Sequence, residues 1–393
     1  MRHICDDERR SRLAVRHALA PAHRVADAES ATRAMTVLHS TEPATVYLSV
    51  HARVDGFTVA DLDRALYVER TLVKQLAMRR TLFVFPRDLL PAAWGSASAR
   101  VAATERARIA KDVVKAGLHA DGDAWLDEAR RLVLEALDGE PDGLQAAPIR
   151  ERVPHVDVKV DVAAGASWTA GRVLTHLGLT ADLVRAVNTG HWRISRPRWA
   201  RMADWLGDVP DPLGADDGYD ELVRRWLRTF GPGTEDDVVW WLGATKGAVR
   251  ASLARLGAVE VGLDGGSTGY VLPDDVEAPA TDPGPWAALL PVLDPTVMGW
   301  KERSWYLGDH GPRLFDRNGN AGTTAWVDGR VVGCWVQDDA GAVVVRLLEE
   351  VPDDAGRALD VEAARLTAWL DGTRIGTVYP SPAMKEAALP STP

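Results

Sequence analysis

His39, Ser40, Thr41 and Glu42 place an imidazole, two hydroxyls and a carboxylate side by side in a segment that is otherwise apolar. These groups could hold and activate a water molecule, because an imidazole with a pKa of roughly 6.5 accepts a proton at neutral pH and a hydroxyl orients a bound water. The alternative is a helix start, with Thr41 as the N-cap and Pro43 at the first helical position. Capping explains Thr41 better than catalysis does, whereas it explains His39 poorly.

Two basic stretches favour a polyanionic partner. Residues 64–87 contain a single acid, Glu69, and six basic residues, which are Arg64, Arg70, Lys74, Arg79, Arg80 and Arg87. Residues 183–203 contain no acid, and their basic residues are interleaved with His191, Trp192 and Trp199; they are Arg185, Arg193, Arg196, Arg198 and Arg201. Arginines neutralise phosphates, and a β-hairpin that carries them can enter a groove. A solvated face with extended arginines would explain one such stretch, but two of them favour DNA.

The overall charge of −10 does not exclude this partner, because the charge is unevenly distributed. Residues 1–201 contain 30 Lys and Arg against 25 Asp and Glu, whereas residues 202–283 contain 6 against 16. Apolar runs are too short for a membrane span, and the charged N-terminus is not typical of a secretory signal. Cys5 and Cys334 are the only cysteines, which favours a reducing cytoplasm over a zinc site or a disulfide framework.

The clearest module covers residues 219–273. Its pattern predicts a helix ending near Gly231, a second helix capped by Thr234, a third capped by Thr245, and a hairpin around 264–268. This is the order of a winged helix. Residues 123–200 and 30–87 have looser versions of the same order, and the copy at 30–87 has its third helix predicted near 70–78.

The C-terminal part predicts an antiparallel meander with a tight turn at Asp328 and Gly329, followed by a helix over 358–372 and a strand over 375–380. The Pro-rich residues 278–291 are typical of a linker, and residues 381–393 of a frayed tail.

Four segments resemble one known family. They are "LHSTEPATVYLSVHARV" (38–54), "LVKQLAMRRTLFVFPRDLLP" (72–91), "LLPVLDPTVMGWKERSW" (289–305) and "NGNAGTTAWVDGRVVGCW" (318–335). The second resembles a hairpin region of the form MRGTLH, and the third an LPxxDxxxxGxxxR entry to a C-terminal domain. The chain therefore resembles the winged-helix DNA-binding family that includes the AlkZ and YcaQ interstrand-crosslink DNA glycosylases.

This resemblance implies an α+β, mainly α, fold of three tandem winged-helix units followed by a small C-terminal β-barrel, arranged as a C-shaped clamp. The domains expected from it are residues 1–122 with the first winged helix, 123–210 with the second, 211–278 with the third, and 285–393 with the barrel.

The resemblance also implies a monofunctional DNA glycosylase that hydrolyses the N-glycosidic bond of alkylated or crosslinked purines and needs neither cofactor nor metal. The family's two water-holding polar residues, Gln-x-Gln or Gln-x-Asp, correspond here to His39 and Thr41, with Glu42 beside them. Phe83 replaces the family's usual histidine in the hairpin region. The residues expected to bind DNA are Arg70, Lys74, Arg79, Arg80, His191, Arg193, Arg196 and Arg198.

The expected partner is double-stranded DNA, bound by a monomer in the cytoplasm at the nucleoid, with no membrane attachment. Two other functions fit the same residues. One is a non-catalytic DNA-binding protein, such as a lesion sensor or a transcriptional regulator. The other is a ligand-sensing or drug-sequestering protein that does not use DNA.

Overall fold

The computed structural model of the protein describes residues 1–162, 167–277 and 282–386. It is a mixed α/β fold, and helical segments make up about half of it. The chain divides into two compact units, one of Met1–Leu62 with Val223–Pro393 and the other of Asp63–Leu222. None of the helices in the described part of the chain is both long and apolar enough to cross a bilayer.

The helices are α1 Asp6–Arg16, α2 Ala28–Ala34, α3 Pro43–His51, α4 Val59–Asp63, α5 Leu90–Ala93, α6 Ala99–Lys115, α7 Gly122–Ala136, α8 Ala146–Arg152, α9 Ala170–Leu179, α10 Met202–Leu206, α11 Ala215–Phe230, α12 Glu235–Leu242, α13 Lys246–Arg255, α14 Pro295–Met298, α15 Ser304–Leu307, α16 Gly311–Leu314, α17 Asp353–Leu370 and α18 Pro382–Lys385. The strands are β1 His3–Ile4, β2 Leu38–His39, β3 Leu72–Leu76, β4 Leu82–Pro86, β5 Val160–Asp161, β6 Ser167–Trp168, β7 Leu183–Asn188, β8 Pro197–Arg201, β9 Val259–Leu263, β10 Thr268–Val271, β11 Ala287–Leu290, β12 Thr324–Val327, β13 Arg330–Gln337 and β14 Val343–Leu347.

The unit of residues 63–222 has a helical core and two antiparallel hairpins. Helices α6, α7 and α9 pack around apolar side chains that include Ile109, Trp125, Val133 and Leu174. Strand β3 pairs with β4, β7 pairs with β8, and β3 lies against β7. The helix predicted near 70–78 is wrong, because this segment forms β3. Its pairing with the buried strand β4 outweighs the weak local preference of the segment.

The predicted module at 219–273 contains the expected elements. The hydroxyl of Thr234 accepts a hydrogen bond from the backbone of Asp237, whose carboxylate accepts one in return, so the two residues form a capping box at the start of α12. Gly243 ends this helix with a φ of 61°, and Thr245 caps α13. Strands β9 and β10 form the hairpin, and the N-terminal strand β1, which the sequence did not predict, pairs in parallel with β9.

The C-terminal meander is present, but the predicted barrel is wrong for the described residues. Strands β11, β12, β13 and β14 form an open antiparallel sheet in that order, and α17 packs against it. The tight turn at Asp328 and Gly329 has φ values of 46° and 82°. A single helix that covers the sheet leaves no need for strand closure, because it buries the apolar face by itself.

The structure also differs from three smaller predictions in this region. Strand β11 lies inside the predicted linker 278–291, of which 278–281 lie outside the described residues. The strand predicted over 375–380 does not form. The predicted tail begins with the short helix α18, which packs against β13, while residues 387–393 lie outside the described residues.

A completely buried ion pair lies within the unit of residues 1–62 and 223–393. The guanidinium of Arg53 binds both carboxylate oxygens of Asp294, at 2.8 and 3.0 Å, and both side chains are 0% exposed. The remaining donors of Arg53 bind the backbone oxygens of His17 and Ser49 and the hydroxyl of Thr296. This pair joins the end of α1, the C-terminal end of α3 and the start of α14.

Asp294→Asn is expected to destabilise the protein strongly, because the change leaves the charge of Arg53 buried without its counter-charge. Breaking a buried pair on one side costs about 3–5 kcal/mol. The free energy of unfolding, measured in denaturant, gives the loss. Glu29→Gln is the control, since it removes a surface ion pair with Arg33, which is worth less than about 1 kcal/mol. Equal losses for the two variants would contradict the structural role of the buried pair.

Candidate functional site

The polar residues singled out in the sequence form the entry to helix α3. His39 ends the short strand β2, Thr41 is exposed, and Glu42 occupies the N-cap position in front of Pro43. Pro43 is at the first helical turn, as predicted, because its missing N–H and fixed φ suit that position. The prediction that Thr41 is the N-cap is wrong, and the side chain of Glu42, which holds the position, makes no capping bond.

His39 is 9% exposed and folds back on its own loop. The backbone N–H of Thr41 donates to Nδ1 of His39 at 3.4 Å. A ring that accepts at Nδ1 carries its proton on Nε2 when it is neutral. His39 can therefore act as a donor through Nε2, and as a base only through Nδ1 after this long bond opens. The structure thus places the backbone N–H of Thr41 against the His39 ring, and the role of the two residues in holding a water stays a prediction.

Glu42 is directed toward the C-terminal segment of the chain. Its Oε1 accepts hydrogen bonds from the hydroxyl of Thr377 at 2.8 Å and from the backbone N–H of Val378 at 2.6 Å. Burial raises the pKa of the Glu42 carboxyl above its ordinary value, and the two bonds from Val378 and Thr377 partly oppose that rise. Sequence reasoning missed Thr377 and Val378, since no local pattern connects them with Glu42.

A cavity of about 230 Å³ lies beside Glu42. Its wall is mostly apolar and includes Leu48 of α3, Val292, Trp335 of β13 and Ile375. The indole N–H of Trp335 is bonded to the backbone oxygen of Leu290, so this ring contributes only its apolar surface. The cavity therefore combines a mostly apolar wall with the Glu42 carboxyl, whose pKa is raised, and with Arg374.

His51, at the other end of α3, is a structural residue. Its ring contacts Trp369 at 4.9 Å, and Nε2 lies 3.1 Å from a guanidinium nitrogen of Arg365. Burial and the positive charges of Arg365 and Arg24 lower the pKa of His51 to about 3. His51 is therefore neutral at physiological pH. Among the described residues, no group of three or more His, Cys, Asp or Glu could hold a metal ion.

Arg70 and Lys74, which were expected to bind DNA, both have contacts within the unit of residues 63–222. The guanidinium of Arg70 lies 3.9 Å above the ring of Trp205 and donates to the backbone oxygen of the same residue at 2.6 Å. Arg70 thus stabilises the packing of α10. The ammonium group of Lys74 donates to the hydroxyl of Tyr67 at 2.6 Å and is half-buried.

Arg79 and Arg80 form the tip of the β3–β4 hairpin, and both are exposed. Their φ values of 54° and 60° lie in the left-handed region, which is unfavourable for long side chains. Arg80 lies 3.3 Å from the carboxylate of Glu105. Strain of this kind at a hairpin tip is typical of functional positions. Phe83, in the strand that follows, is buried and meets Phe85 edge to face.

The loop between β7 and β8 presents the second basic group. His191, Arg193 and Arg196 are exposed in it. Asn188 orders the loop, because its side chain donates to the backbone oxygen of Ile194 at 3.0 Å and accepts from the backbone N–H of Arg196 at 2.7 Å. The exposed guanidinium groups are thus carried on a defined turn.

Arg198 and Trp199 have structural contacts next to that loop. Arg198 donates through Nε to the backbone oxygen of Gly143 at 2.7 Å. Trp199 is buried, as expected for most of the tryptophans. Arg185, which belongs to the same basic stretch but was left out of the predicted DNA-binding set, lies over the Trp199 ring at 5.2 Å.

Glu42→Gln is expected to make stability less dependent on pH. A carboxyl with a raised pKa stabilises the folded state when protonated, and this contribution is lost as the pH rises from the ordinary value of 4.5 through the raised value. Glutamine keeps the acceptor for Thr377 without the charge. The melting temperature of the variant should therefore rise relative to wild type as the pH increases above about 4.5.

Thr377 provides the matched control pair. Thr377→Val removes a bond that favours the ionised carboxylate, so the stability of this variant should fall more steeply with pH than that of wild type. Thr377→Ser keeps the hydroxyl and should follow wild type. Identical pH profiles for Glu42→Gln and wild type between pH about 4 and 8 would contradict the raised pKa.

Comparisons with known proteins identify the family of this chain. A family model described as "DNA glycosylase AlkZ-like" matches residues 32–369. Among solved structures, the DNA glycosylase AlkZ of Streptomyces sahachiroi is similar, with a TM-score of 0.70 and 20% sequence identity over 93% of this chain and 97% of that one. A comparison with curated proteins found no match.

The family match covers most of the chain and includes α3, both basic hairpins and the C-terminal sheet. The resemblance expected from the sequence is therefore confirmed. The family implies an enzyme that acts on N-glycosyl bonds of DNA, and hence a protein that binds DNA. This chain belongs to the AlkZ-like family of DNA glycosylases.

Proposed function

We propose that this protein is a monofunctional glycosylase that removes bulky alkylated or crosslinked purines from double-stranded DNA. The observation that carries this proposal is the contact of the Thr41 backbone N–H with the His39 ring in a short loop at the start of α3, within a chain of the AlkZ-like family. The relative from Streptomyces supports the fold of such an enzyme. An alkylated or crosslinked purine is the class of lesion that the resemblance to the family implies.

The loop needs to supply only limited catalysis, because the bond that it would hydrolyse is already weakened. A purine alkylated at N7 or N3 carries a positive charge, so its glycosidic bond is already weak. The enzyme has to stabilise an oxocarbenium-like sugar and orient one water molecule. In the proposed mechanism His39 and Thr41 hold that water, and His39 accepts its proton through Nδ1. Glu42, when ionised, adds negative potential next to the sugar.

Three helix–hairpin segments would hold the duplex as winged helices. The order of elements supports this role for α11–α13 with β9 and β10, and for α7–α9 with β7 and β8. In the first segment β3 replaces the expected third helix, so the proposal there depends on the β3–β4 hairpin alone. We propose that the enzyme works as a monomer on chromosomal DNA, in the cytoplasm at the nucleoid, with Arg79, Arg80, Arg193 and Arg196 at the phosphates.

His39→Ala is expected to lower base excision by about 100-fold or more, the size of a lost general base. The duplexes would carry either a single N7-alkylguanine or an interstrand crosslink, and alkali would cleave at the abasic product. DNA affinity should stay close to that of wild type. His119→Ala is the control, because this exposed histidine only bonds the backbone of Asp121.

Each other outcome of this assay has a definite meaning. Strand breaks that persist in His39→Ala would remove His39 from the mechanism and leave the glycosylase. Tight binding by wild type without breaks on either duplex would indicate a lesion sensor or regulator. Absence of both binding and breaks would favour a protein that sequesters small molecules.

Replacing Arg193 and Arg196 together by glutamine is expected to weaken binding to all duplexes alike, because exposed arginines contact phosphates and not base edges. The slope of log affinity against log salt should fall by up to about two, at roughly 0.9 per phosphate. Fluorescence anisotropy over a range of salt concentrations measures this slope. Arg131→Gln is the control, since Arg131 is exposed but paired with Glu128 and Glu135. A slope equal to that of wild type would exclude the loop from the interface.

A further inference from the structure

Two positive side chains lie on neighbouring strands of the unit of residues 63–222 without a carboxylate partner. Lys74 is on β3 and Arg185 is on β7, and these strands are in contact. In the described part of the chain neither side chain forms an ion pair. Other arginines of this unit do, for example Arg106 with Asp127 and Arg130 with Asp182.

Arg185 is only partly satisfied by its surroundings. Its guanidinium lies over the Trp199 ring, and its Nε is buried without a hydrogen-bond acceptor among the described residues. Burial lowers the pKa of Arg185. A buried donor without a partner costs about 1–3 kcal/mol, and more when it is charged. This arrangement is therefore unfavourable for the protein on its own.

Lys74 is likewise a cation whose surroundings only partly compensate for its burial. Its ammonium group donates to the hydroxyl of Tyr67 and lies 5.1 Å from the centre of that ring, but a phenol does not neutralise its charge. Burial and the charge of Arg185 lower the pKa of Lys74 to about 8, while Asp63 opposes this shift. Arg185 is thus close enough to repel Lys74. Both side chains remain half-buried and so are still accessible from solvent.

We propose that Lys74 and Arg185 together bind one phosphate group of the DNA backbone. A phosphodiester carries one negative charge and offers oxygen atoms to both the guanidinium group of Arg185 and the ammonium group of Lys74. Binding it would replace the repulsion between the two cations with two charge-assisted hydrogen bonds. The backbone as the source of the phosphate rests on the proposed function, because a DNA glycosylase must hold the strand whose base it removes.

The site differs in kind from the exposed arginines at the hairpin tips. Solvent and salt screen an exposed charge more than a half-buried one, so an exposed guanidinium group attracts a phosphate more weakly. Lys74 is held by Tyr67, and Arg185 is held by Trp199. A phosphate bound between them is therefore fixed in position, which would set the register of the strand on this unit.

The test compares Lys74→Gln, Arg185→Met and the double variant in duplex binding over a range of salt concentrations. Methionine retains much of the apolar contact of Arg185 with Trp199. Each single variant should bind about tenfold more weakly, and the double variant should lower the salt slope by about 0.9, the value for one phosphate. Because both residues share that phosphate, the double variant should lose less affinity than the product of the two single losses. Arg131→Gln is the matched control, in which a paired arginine is removed.

Thermal stability without DNA separates a binding role from a structural one. Removal of either cation relieves repulsion, so the melting temperature of Arg185→Met should equal or exceed that of wild type. A lower melting temperature of Arg185→Met together with unchanged DNA affinity would assign Arg185 to packing against Trp199 and overturn the proposal.

Experiments with inorganic phosphate distinguish a site for the DNA backbone from a site for free phosphate. Stabilisation of wild type by phosphate over chloride at equal ionic strength, absent in the double variant, supports a phosphate site. The same stabilisation with unchanged DNA binding in the variants overturns the assignment to the backbone. Base excision by wild type with an unaltered salt slope in the double variant would overturn this inference and leave the proposed function intact, whereas wild type without excision would refute the proposed function.

Discussion

The buried pair of Arg53 and Asp294 is the interaction on which the position of the candidate loop depends. Desolvation of two charges is costly, and it is compensated only when nearly every polar atom of the pair is bonded. Here the five donors of Arg53 are all used, and Asp294 also accepts from the hydroxyl of Ser49 and the backbone N–H of Thr296. A network so completely bonded tolerates little displacement, so it fixes the C-terminal end of α3.

The N-terminal end of α3 is fixed by different and weaker contacts. Thr45 donates to the backbone oxygen of Val292, two residues before Asp294, and Glu42 accepts from Thr377 and Val378. The helix is thus anchored firmly at one end and held by single hydrogen bonds at the end that carries the loop. The firm anchor at the far end gives the loop a rigid support, which a catalytic constellation needs.

Sequence reasoning identified this loop because its signal is local. Pro43 and the polar run before it predict a helix start, and the capping residues Thr234 and Thr245 likewise predicted α12 and α13, whose bounds depend on neighbouring residues. The helix expected near 70–78 failed because β4 pairs with that segment, and the barrel failed because α17 covers the sheet. Thr377 could not be found, since it lies 335 residues from the carboxylate that it binds.

The net charge of a segment does not show which of its cations can bind an anion. Residues 63–222 contain 22 Lys and Arg against 24 Asp and Glu, so their sum is slightly negative. A paired arginine such as Arg130 has already exchanged its solvent for a carboxylate and gains little from a phosphate. A half-buried cation without a carboxylate is also desolvated, but no attraction to a counter-charge compensates for this cost. Burial without a carboxylate therefore characterises Lys74 and Arg185, the two cations of the proposed phosphate site, and neither the composition nor the length of a basic stretch reveals this property.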